Sequence, residues 1–447
     1  MSGNGNDLSR RNFIKFGGAA AASVAVASAA VSTSAVAAGV GTGTKANLPK
    51  ATGPRLVVVG GGSSGLTIAK YAKKEYPKFD VVLVEKRDMY SSCFSSNMWY
   101  AGVVDLEFLA AHSFLDAAVN NKYIYFQATC TGLDRAGKKL HTDQGDIDYD
   151  FLVLAPGISY DYGRIGVKDA ETETALRLRY PGGFINPTEH VSIRDKVQGF
   201  EGGTFVVTVP GGNYRCLPGP YERACMIASA FKKNKVKGKV LVLDHNAKPT
   251  IKAEGFLTAF KELYSDVIEY KPSSEIKGVD VGSRTIKTEF DSIKFDDATI
   301  YPGVRGSTLL EAMGIVDPKS PQKEAHIDPL KYNVVGDPHV YVTGDSRPQP
   351  FSKSANTANT EAKYVAKVLA ARAQGKDIDW YSPETICFSM VNASPLEAIS
   401  VDAGYVYDPA KGFNFNMATL KMDEKRDAAK GRACIEWAKG MYRDLFA

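Results

Sequence analysis

Six cysteines give this chain of 447 residues its clearest capacity for redox chemistry. No two of them have C-x-x-C spacing, so a thioredoxin-type pair, a zinc ribbon and a haem c attachment site are not expected, and we predict no metal site. Cys216 is distinctive because it follows Arg215 in a proline-rich turn, where a neighbouring cation favours the thiolate. Apolar or helical patterns surround three others, which we interpret as core residues: Cys130, Cys225 and Cys434.

A glycine-rich turn predicts a dinucleotide site near the start of the chain. Residues 57–59, Val-Val-Val, predict a buried strand, and glycines with G-x-G-x-x-G spacing follow it at Gly60, Gly62 and Gly65. The first glycine permits a tight turn, the second lets a pyrophosphate approach the backbone, and the third lets the next helix pack closely. The phosphates bind to free amides at the helix N-terminus. Glu85 ends the next predicted strand. Its separation from Gly60 along the sequence is close to that expected for a carboxylate that binds a ribose hydroxyl.

Cys93 is expected beside this cofactor. It follows the second strand of the same β-α-β unit, and ligands of open α/β sheets bind at the carboxyl ends of the strands. Two later segments, residues 149–157 and 340–345, resemble strand-and-turn signatures of flavoprotein reductases that have two dinucleotide domains. The resemblance implies FAD as the cofactor, with Asp345 hydrogen-bonded to its ribityl chain. A helix predicted over residues 357–371 would begin at the flavin.

A second β-α-β unit is predicted from strands at residues 204–209 and 239–244, with a helix over residues 221–232 between them. A reductase that uses NAD(P)H needs another glycine-rich turn after the first of these strands. The turn at residues 210–220 instead holds three prolines, which fix φ and remove amide donors where a pyrophosphate would bind. We infer that a nicotinamide site was lost or never existed, and that the electrons come from another donor.

The N-terminus resembles a twin-arginine export signal. Arg10 and Arg11 precede an Ala-rich apolar run that extends to about residue 38, and residues 35–37 form an A-x-A-like cleavage site. A transmembrane anchor is the alternative, but the run is rich in Ala and Ser rather than Leu and Ile, so we favour removal. The mature protein is expected in the periplasm, where cysteines are commonly paired in structural disulfides.

Composition argues against two classes of partner. The hydrophobic share of 44% and the charged share of 23% are typical of a globular protein and exclude bulk disorder. A net charge of +5 without a dense run of Lys or Arg gives no reason to expect nucleic acid as a partner. Beyond the N-terminal run, no stretch of sequence is long and apolar enough to span a bilayer, so stable membrane insertion is not expected.

Three segments carry a more specific resemblance. They are residues 90–97, YSSCFSSN, residues 215–224, RCLPGPYERA, and residues 385–389, TICFS. In this order, over essentially all of the mature chain, the sequence resembles the flavoprotein subunit of flavocytochrome c sulfide dehydrogenase. The second segment is long enough to be much more specific than a glycine motif. One departure lies at residues 346–348, Ser-Arg-Pro, where the family has another cysteine.

The resemblance implies roles for four residues. Cys93 matches a cysteine whose sulfur is bonded to the flavin 8α-methyl group. Cys216 and Cys387 match a redox-active disulfide beside the isoalloxazine, and Glu222 matches an acid at the same site. Hydrosulfide would attack one sulfur of the disulfide, leaving a persulfide and a thiolate that passes electrons to the flavin. Glu222 would move the proton, and the electron acceptor in this family is a separate c-type cytochrome subunit.

The resemblance also implies an α/β fold. We expect two Rossmann-like dinucleotide-binding-type domains of the glutathione reductase-like kind and a smaller α+β C-terminal domain. The expected divisions, in chain order, are a signal peptide at 1–38, a flexible linker at 39–53, the first part of the FAD-binding domain at 54–165, a second Rossmann-like domain without a nicotinamide fingerprint at 166–300, the second part of the FAD-binding domain at 301–375, and a C-terminal interface domain at 376–447.

Three other functions compete with this interpretation. A sulfide:quinone reductase shares the fold and the cysteine chemistry, but it needs an apolar, membrane-facing C-terminus, and residues 404–447 mix charged residues with scattered aromatics. A non-catalytic accessory flavoprotein of a thiosulfate-oxidising system would keep the same flavin and disulfide, so sequence does not separate it from the enzyme. An NAD(P)H-dependent disulfide reductase is the weakest alternative, because of the prolines at residues 210–220.

Overall fold

The computed structural model describes residue 41 and residues 43–447. Within this range the first sheet has five parallel strands, four of which are buried along their whole length, as expected when helices cover both faces. The spatial order is Val340–Val342, Phe151–Leu154, Arg55–Val59, Asp80–Glu85 and Ile124–Gln127. Two stretches of chain that are far apart in sequence therefore build one sheet.

The second sheet has four parallel strands within the described residues. Their spatial order is Ile268–Lys271, Lys237–Asp244, Gly202–Val209 and Asp297–Thr299. Helix Gly219–Asn234 connects the two central strands, as the predicted β-α-β unit requires. The two parallel sheets, each with its own buried apolar cluster, confirm the predicted α/β class.

The C-terminal part of the chain is antiparallel. Strands Thr385–Ala393, Leu396–Ala403 and Lys421–Asp427 form a three-stranded sheet, and helix Ala428–Phe446 follows the last strand. The Asp427 side chain accepts a hydrogen bond from the Lys430 amide and caps this helix. An adjoining hairpin pairs Tyr405–Asp408 with Gly412–Phe415.

The remaining elements connect these units. The smaller antiparallel pairings are Met89–Tyr90 with His112–Ser113, Cys130–Asp134 with Lys139–Thr142 and Ile147–Asp148, Ile158–Asp161 with Gly303–Gly306, and Ile276–Asp280 with Thr285–Thr288 and Ser292–Lys294. The other α-helices are Ser63–Glu75, Ser96–Tyr100, Leu106–Ala110, Phe114–Asn121, Ala170–Arg179, Pro187–Gly199, Ala253–Tyr264, Thr308–Ala312 and Ala355–Arg372. Short 3-10 helices lie at Tyr162–Ile165 and Gly344–Ser346.

Some elements differ from the sequence expectation. The helix predicted over residues 357–371 is Ala355–Arg372, because the Ser354 side chain accepts from the Thr357 amide and sets an earlier start. Cys130–Asp134, for which no strand is predicted from the sequence, is a strand paired with Lys139–Thr142.

The segment before the first strand also differs from the expected flexible linker. The Ala46 amide donates to the Asp146 carbonyl at 2.9 Å, and the Arg55 guanidinium donates to the Pro49 carbonyl at 2.7 Å. The described part of this segment therefore lies against the fold. Residues 1–40 and 42, which include the predicted signal peptide, lie outside the described residues.

Candidate active site

The predicted glycine turn has the geometry of a phosphate-binding turn. Gly60 has φ +103°, and a Cβ there would lie 2.5 Å from the Ala155 carbonyl oxygen. A Cβ on Gly65 would lie 1.8 Å from the Gly60 carbonyl oxygen, so only glycine permits this contact. A Cβ on Gly62 would meet nothing within 4 Å, so this side of the turn is open. Helix Ser63–Glu75 starts there without a side-chain cap or an acidic residue in its first turn, which fits the pyrophosphate of a dinucleotide.

Glu85 lies beside this turn, as predicted. Its carboxylate accepts hydrogen bonds from the Gly61 amide at 2.7 Å and from Arg87 Nε at 2.9 Å. Burial alone would raise the pKa of Glu85, but the hydrogen bonds and charge of Arg87 and the Gly61 amide lower it below its usual value. The ionised carboxylate lines a cavity together with Gly60, Arg87 and Asn186. A ribose hydroxyl fits this donor and acceptor set.

Asp345 is at the same edge of the first sheet. The strand before it ends at Val342, because the chain turns at Gly344, whose φ is +70°. A hydrogen bond of 2.7 Å joins the hydroxyls of Ser64 and Thr343, so the two predicted cofactor segments are in contact. The Asp345 carboxylate is buried and lies 3.3 Å from Arg215 Nε.

Three cysteines that are far apart in sequence line one cavity. They are Cys93, Cys216 and Cys387, and Glu222 lines the same cavity. Their thiols are not bonded to one another in this structure. The structure therefore brings together all four residues to which the resemblance assigns the chemistry.

The Cys216 backbone is held in an uncommon conformation. Its φ is +59°, in the left-handed region that few non-glycine residues adopt. The Cys216 amide donates to the Lys353 carbonyl at 2.7 Å, and its carbonyl accepts from the Gly219 amide at 2.7 Å. Residues of this kind are concentrated at functional sites.

Arg215 does not make Cys216 a stabilised thiolate, contrary to the sequence hypothesis. Burial raises the pKa of the Cys216 thiol well above its usual value, and the nearby Cys387 raises it further. Arg215 opposes this only weakly, because its guanidinium pairs with the Asp345 carboxylate. The reduced Cys216 is therefore a neutral thiol near neutral pH.

Glu222 is buried and held by two donors. Asn97 Nδ2 donates to one carboxyl oxygen at 2.8 Å, and the Met390 amide donates to the other at 2.7 Å. Burial raises the pKa of Glu222 above its usual value, although both donors oppose this effect. A carboxyl group with a raised pKa in this cavity is suited to general acid–base chemistry near neutral pH.

The other three cysteines lie outside this cavity. Cys225 and Cys434 are buried, as predicted. Cys130 is only partly buried: it packs against the apolar cluster of the first sheet and also lines the cavity that contains Glu85, so the core interpretation holds only in part for this residue. Burial raises the pKa of the Cys130 thiol to about 12, which makes it unreactive.

Sequence reasoning missed Lys252. This lysine is 1% exposed, and its ammonium group donates to the Ser389 hydroxyl at 2.8 Å and to the Cys387 carbonyl at 3.2 Å. Its Nζ lies 3.8 Å from Cys387 Sγ. No local pattern indicated it, because the contact joins residues 135 positions apart.

The segment at residues 346–348 carries a buried charge. Arg347 is completely buried and its Nε donates to Glu361 at 2.9 Å. Lys353 is buried nearby, where its ammonium donates to Glu324 at 2.7 Å and to the Asp345 carbonyl at 2.8 Å. Since the Lys353 carbonyl accepts from the Cys216 amide, this charged network supports the turn that carries Cys216.

The edge of the second sheet has a different character. The Asp244 carboxylate ends a strand, where a dinucleotide fold places its ribose-binding acid. Here it accepts from the hydroxyls of Tyr221 at 2.7 Å and Tyr270 at 2.8 Å, and from the Asn246 amide at 2.8 Å. These protein donors occupy the carboxylate, which agrees with the inference drawn from the prolines of the neighbouring turn.

Two family models match the parts of the chain that hold Gly60, Glu85, Cys93, Cys216 and Glu222. Residues 54–180 match the pyridine nucleotide-disulphide oxidoreductase family. Residues 191–302 match the central part of the sulfide dehydrogenase (flavocytochrome c) flavoprotein chain. The predicted family resemblance is confirmed. Residues 7–27 match the signal sequence of the twin-arginine translocation pathway, which confirms the predicted export to the periplasm.

Curated relatives match over most of the chain at low identity. The mitochondrial sulfide:quinone oxidoreductase of Schizosaccharomyces pombe is 22% identical over 411 residues, which cover 81% of this chain and 83% of the relative. A type II NADH:quinone oxidoreductase of Staphylococcus haemolyticus is 24% identical over 361 residues, which cover 74% of this chain and 87% of the relative.

Solved structures share the fold. The sulfide:quinone oxidoreductase of Aquifex aeolicus superposes with a TM-score of 0.70 and 14% identity, over 87% of this chain and 90% of the other. Putidaredoxin reductase, in its covalent complex with putidaredoxin, superposes with a TM-score of 0.59 and 17% identity, over 79% of this chain and 82% of the other. These likenesses establish a fold of the pyridine nucleotide-disulfide oxidoreductase kind. In the described range, no helix combines the length and apolar character needed to cross a membrane.

Proposed function

We propose that this chain is a periplasmic flavoprotein that oxidises sulfide and passes the electrons to a c-type cytochrome. The convergence of Cys93, Cys216, Cys387 and Glu222 on one cavity is the observation that carries this proposal. The match to the sulfide dehydrogenase flavoprotein model and the twin-arginine signal support it.

FAD would be held along the carboxyl edge of the first sheet. The turn at Gly60, Gly62 and Gly65 would bind its pyrophosphate, Glu85 its ribose and Asp345 its ribityl chain. Cys93 would bond the flavin covalently, which would prevent its loss in the periplasm. The bound flavin would supply a two-electron acceptor for a cysteine thiolate.

The protein residues would carry out the sulfur chemistry. In the oxidised protein Cys216 and Cys387 would form a disulfide, which hydrosulfide would open by attack on one sulfur. This displacement forms one S–S bond, breaks another and releases one cysteine thiolate. Glu222, with its raised pKa, would take or return the proton of the incoming sulfur.

A sulfide-oxidation assay with a cytochrome acceptor tests this function. The purified holoprotein is mixed with sulfide and its c-type cytochrome partner, and reduction of flavin and haem is followed by absorbance. We expect sulfide to reduce both in the wild type, and Cys387→Ser to abolish sulfide oxidation while FAD stays bound. Cys225→Ser is the matched control, because this buried thiol lines neither the cavity of the three cysteines nor the cavity that contains Glu85. Failure of sulfide to reduce the flavin would refute the enzyme and favour an accessory flavoprotein.

A quinone acceptor is the second candidate. Four large apolar side chains in the antiparallel C-terminal part of the chain are exposed to solvent: Val406, Phe415, Met417 and Met422. Exposed apolar side chains of this kind could contact a membrane surface that contains quinone. The same assay with a soluble ubiquinone analogue decides between the acceptors. Faster turnover with the quinone than with the cytochrome would favour this candidate.

A further inference from the structure

Among the residues that the structure describes, Lys252 is a buried cation that forms no close ion pair with a carboxylate, although its charge acts on the nearby Glu222. Its ammonium group contacts the Ser389 hydroxyl, the Cys387 carbonyl and, at 3.8 Å, Cys387 Sγ. Burying an ammonium group is costly unless an anion or a full set of acceptors compensates it. The groups that contact the ammonium directly are neutral, so an anion that forms on Cys387 during the reaction would supply a negative charge next to Lys252.

The backbone at Lys252 is also uncommon. Its φ is +53°, in the left-handed region, and it caps helix Ala253–Tyr264 without a side-chain hydrogen bond to the helix. Such a conformation is unfavourable for a lysine and persists where the surrounding structure imposes it. With this backbone, the Lys252 ammonium group lies beside the sulfur of Cys387 and not in solvent.

The two sulfurs of the proposed disulfide therefore differ in their surroundings. Cys387 has the Lys252 ammonium beside it. Cys216 has Arg215 as its neighbouring cation, but Arg215 is paired with Asp345, and burial raises the pKa of the Cys216 thiol well above its usual value. In thiol–disulfide exchange the sulfur whose thiolate is better stabilised is the better leaving group, and the ammonium group 3.8 Å from Cys387 Sγ provides that stabilisation.

The other ionisable groups around Cys387 do not reverse this difference. Glu222 on helix Gly219–Asn234 faces the site with a raised pKa and accepts from the Met390 amide. Cys434 on helix Ala428–Phe446 is a buried thiol whose pKa burial raises well above its usual value. The strand paired with Cys387 places the apolar Val401 opposite it.

We propose that Lys252 sets the direction in which the disulfide is opened. Hydrosulfide attacks Sγ of Cys216 and forms the new S–S bond of a Cys216 persulfide. The bond between Cys216 and Cys387 breaks, and its electron pair goes to Cys387 Sγ, which leaves as a thiolate beside the Lys252 ammonium. The hydrosulfide sulfur is oxidised and Cys387 is reduced, so no further reactant is needed for this step. This inference rests on the proposed function, because it assigns roles within the same disulfide.

The first test measures Cys387 alone and uses no sulfide. In a Cys216→Ser background, the reduced holoprotein is alkylated with iodoacetamide across a pH series, and the Cys387 peptide is quantified by mass spectrometry. Lys252→Met is expected to lower the alkylation rate of Cys387 at neutral pH by about tenfold, because the ammonium group beside its sulfur is lost. Lys252→Arg keeps a cation and is expected to retain most of the rate.

Two controls separate charge from folding. Lys248→Met removes an exposed lysine of the same segment and is expected to leave the curve unchanged. Lys252→Gln is measured beside Lys252→Met, with FAD content and a melting curve for both, so that the conclusion uses a folded neutral variant. A wild-type alkylation curve in the folded neutral variants would overturn the proposal.

The second test locates the persulfide. The oxidised wild-type holoprotein is mixed anaerobically with one equivalent of sulfide, quenched rapidly with alkylating agent and digested. We expect the additional sulfur on the Cys216 peptide, and its presence on the Cys387 peptide would overturn the proposed direction. Absence of a persulfide on both peptides would overturn the proposed function itself, whereas the alkylation result would still decide whether Lys252 stabilises the Cys387 thiolate.

Discussion

Replacing Arg347 with methionine is the most demanding test of the charged network behind the active site. The Arg347 guanidinium donates to Glu361 at 2.9 Å and to the carbonyls of Gln349 at 2.9 Å and Ser352 at 3.1 Å. Neither side chain of the ion pair is exposed to solvent. Methionine fills much of the same volume, but it leaves these buried acceptors without their donor.

The expected loss of stability is large. Removing one partner of a buried ion pair costs about 3–5 kcal/mol, because the other partner is left buried and uncompensated. Part of this loss depends on pH. Burial raises the pKa of Glu361 from 4.5 to about 7, although Arg347 lowers it. Without Arg347, the pKa of Glu361 in the folded protein is therefore expected above 7.

The sign of the pH dependence follows from the two states. Below pH 4.5 Glu361 is protonated in both the folded and the unfolded protein. Between pH 4.5 and 7 Glu361 ionises only in the unfolded protein, so the contribution of Glu361 to the free energy of unfolding falls with rising pH, equally in wild type and variant. Above pH 7 the wild-type contribution levels off, while the variant keeps losing about 1.4 kcal/mol per pH unit. We expect Arg347→Met to be less stable than wild type by about 3 kcal/mol at pH 6 and about 4 kcal/mol at pH 8.

Urea unfolding of the holoprotein at the two pH values, followed by circular dichroism, measures this difference. The double variant Arg347→Met with Glu361→Gln is the control, because its neutral amide cannot ionise. Wild type still loses stability between pH 6 and pH 8 as Glu361 ionises, so the deficit of the double variant relative to wild type is expected to shrink rather than grow over this range. An Arg347→Met deficit below about 1 kcal/mol would contradict the role of the ion pair. A deficit that does not grow between pH 6 and pH 8 would contradict the assignment of the ionising group to Glu361.

Three further predictions concern the site itself. Acid-precipitated wild type should stay yellow, whereas Cys93→Ser should release its flavin into the supernatant; release from wild type would disprove the covalent bond. Gly65→Ala should lose FAD and about 1–3 kcal/mol of stability, because its Cβ would meet the Gly60 carbonyl oxygen at 1.8 Å. Gly199→Ala, whose Cβ meets nothing within 4 Å, is its control, and equal FAD content in both would argue against the turn. Glu222→Gln should keep FAD but slow flavin reduction by sulfide about 100-fold in stopped-flow measurements; an unchanged rate would exclude proton transfer by Glu222.

Local patterns in the sequence predicted the elements that position the cofactor site. The glycine turn, the strand that ends in Glu85 and the helix between the second pair of strands depend on short-range periodicity and backbone preferences, which neighbouring residues specify. Element ends were less predictable. Helix Ala355–Arg372 starts before Thr357 because of the hydrogen bond from the Thr357 amide to the Ser354 hydroxyl, and the apolar pattern carries no information about that bond.

The assignment of Cys93, Cys216 and Cys387 to one site came from the resemblance of three short segments, not from their spacing. The structure places these residues at one cavity, which no local pattern could show. It also reversed one local inference, since Arg215 is adjacent to Cys216 in sequence but is paired with Asp345.

The sequence by itself determined the two β-α-β units, the export signal and the residue types available for redox chemistry. Only the tertiary structure decided which charges lie beside which sulfur. Lys252 reaches Cys387 across 135 positions, and the buried pair of Arg347 and Glu361 supports the turn at Cys216 through Lys353. Such contacts depend on how distant elements pack, and burial then sets their electrostatic strength, so neighbouring residues in the chain do not specify them.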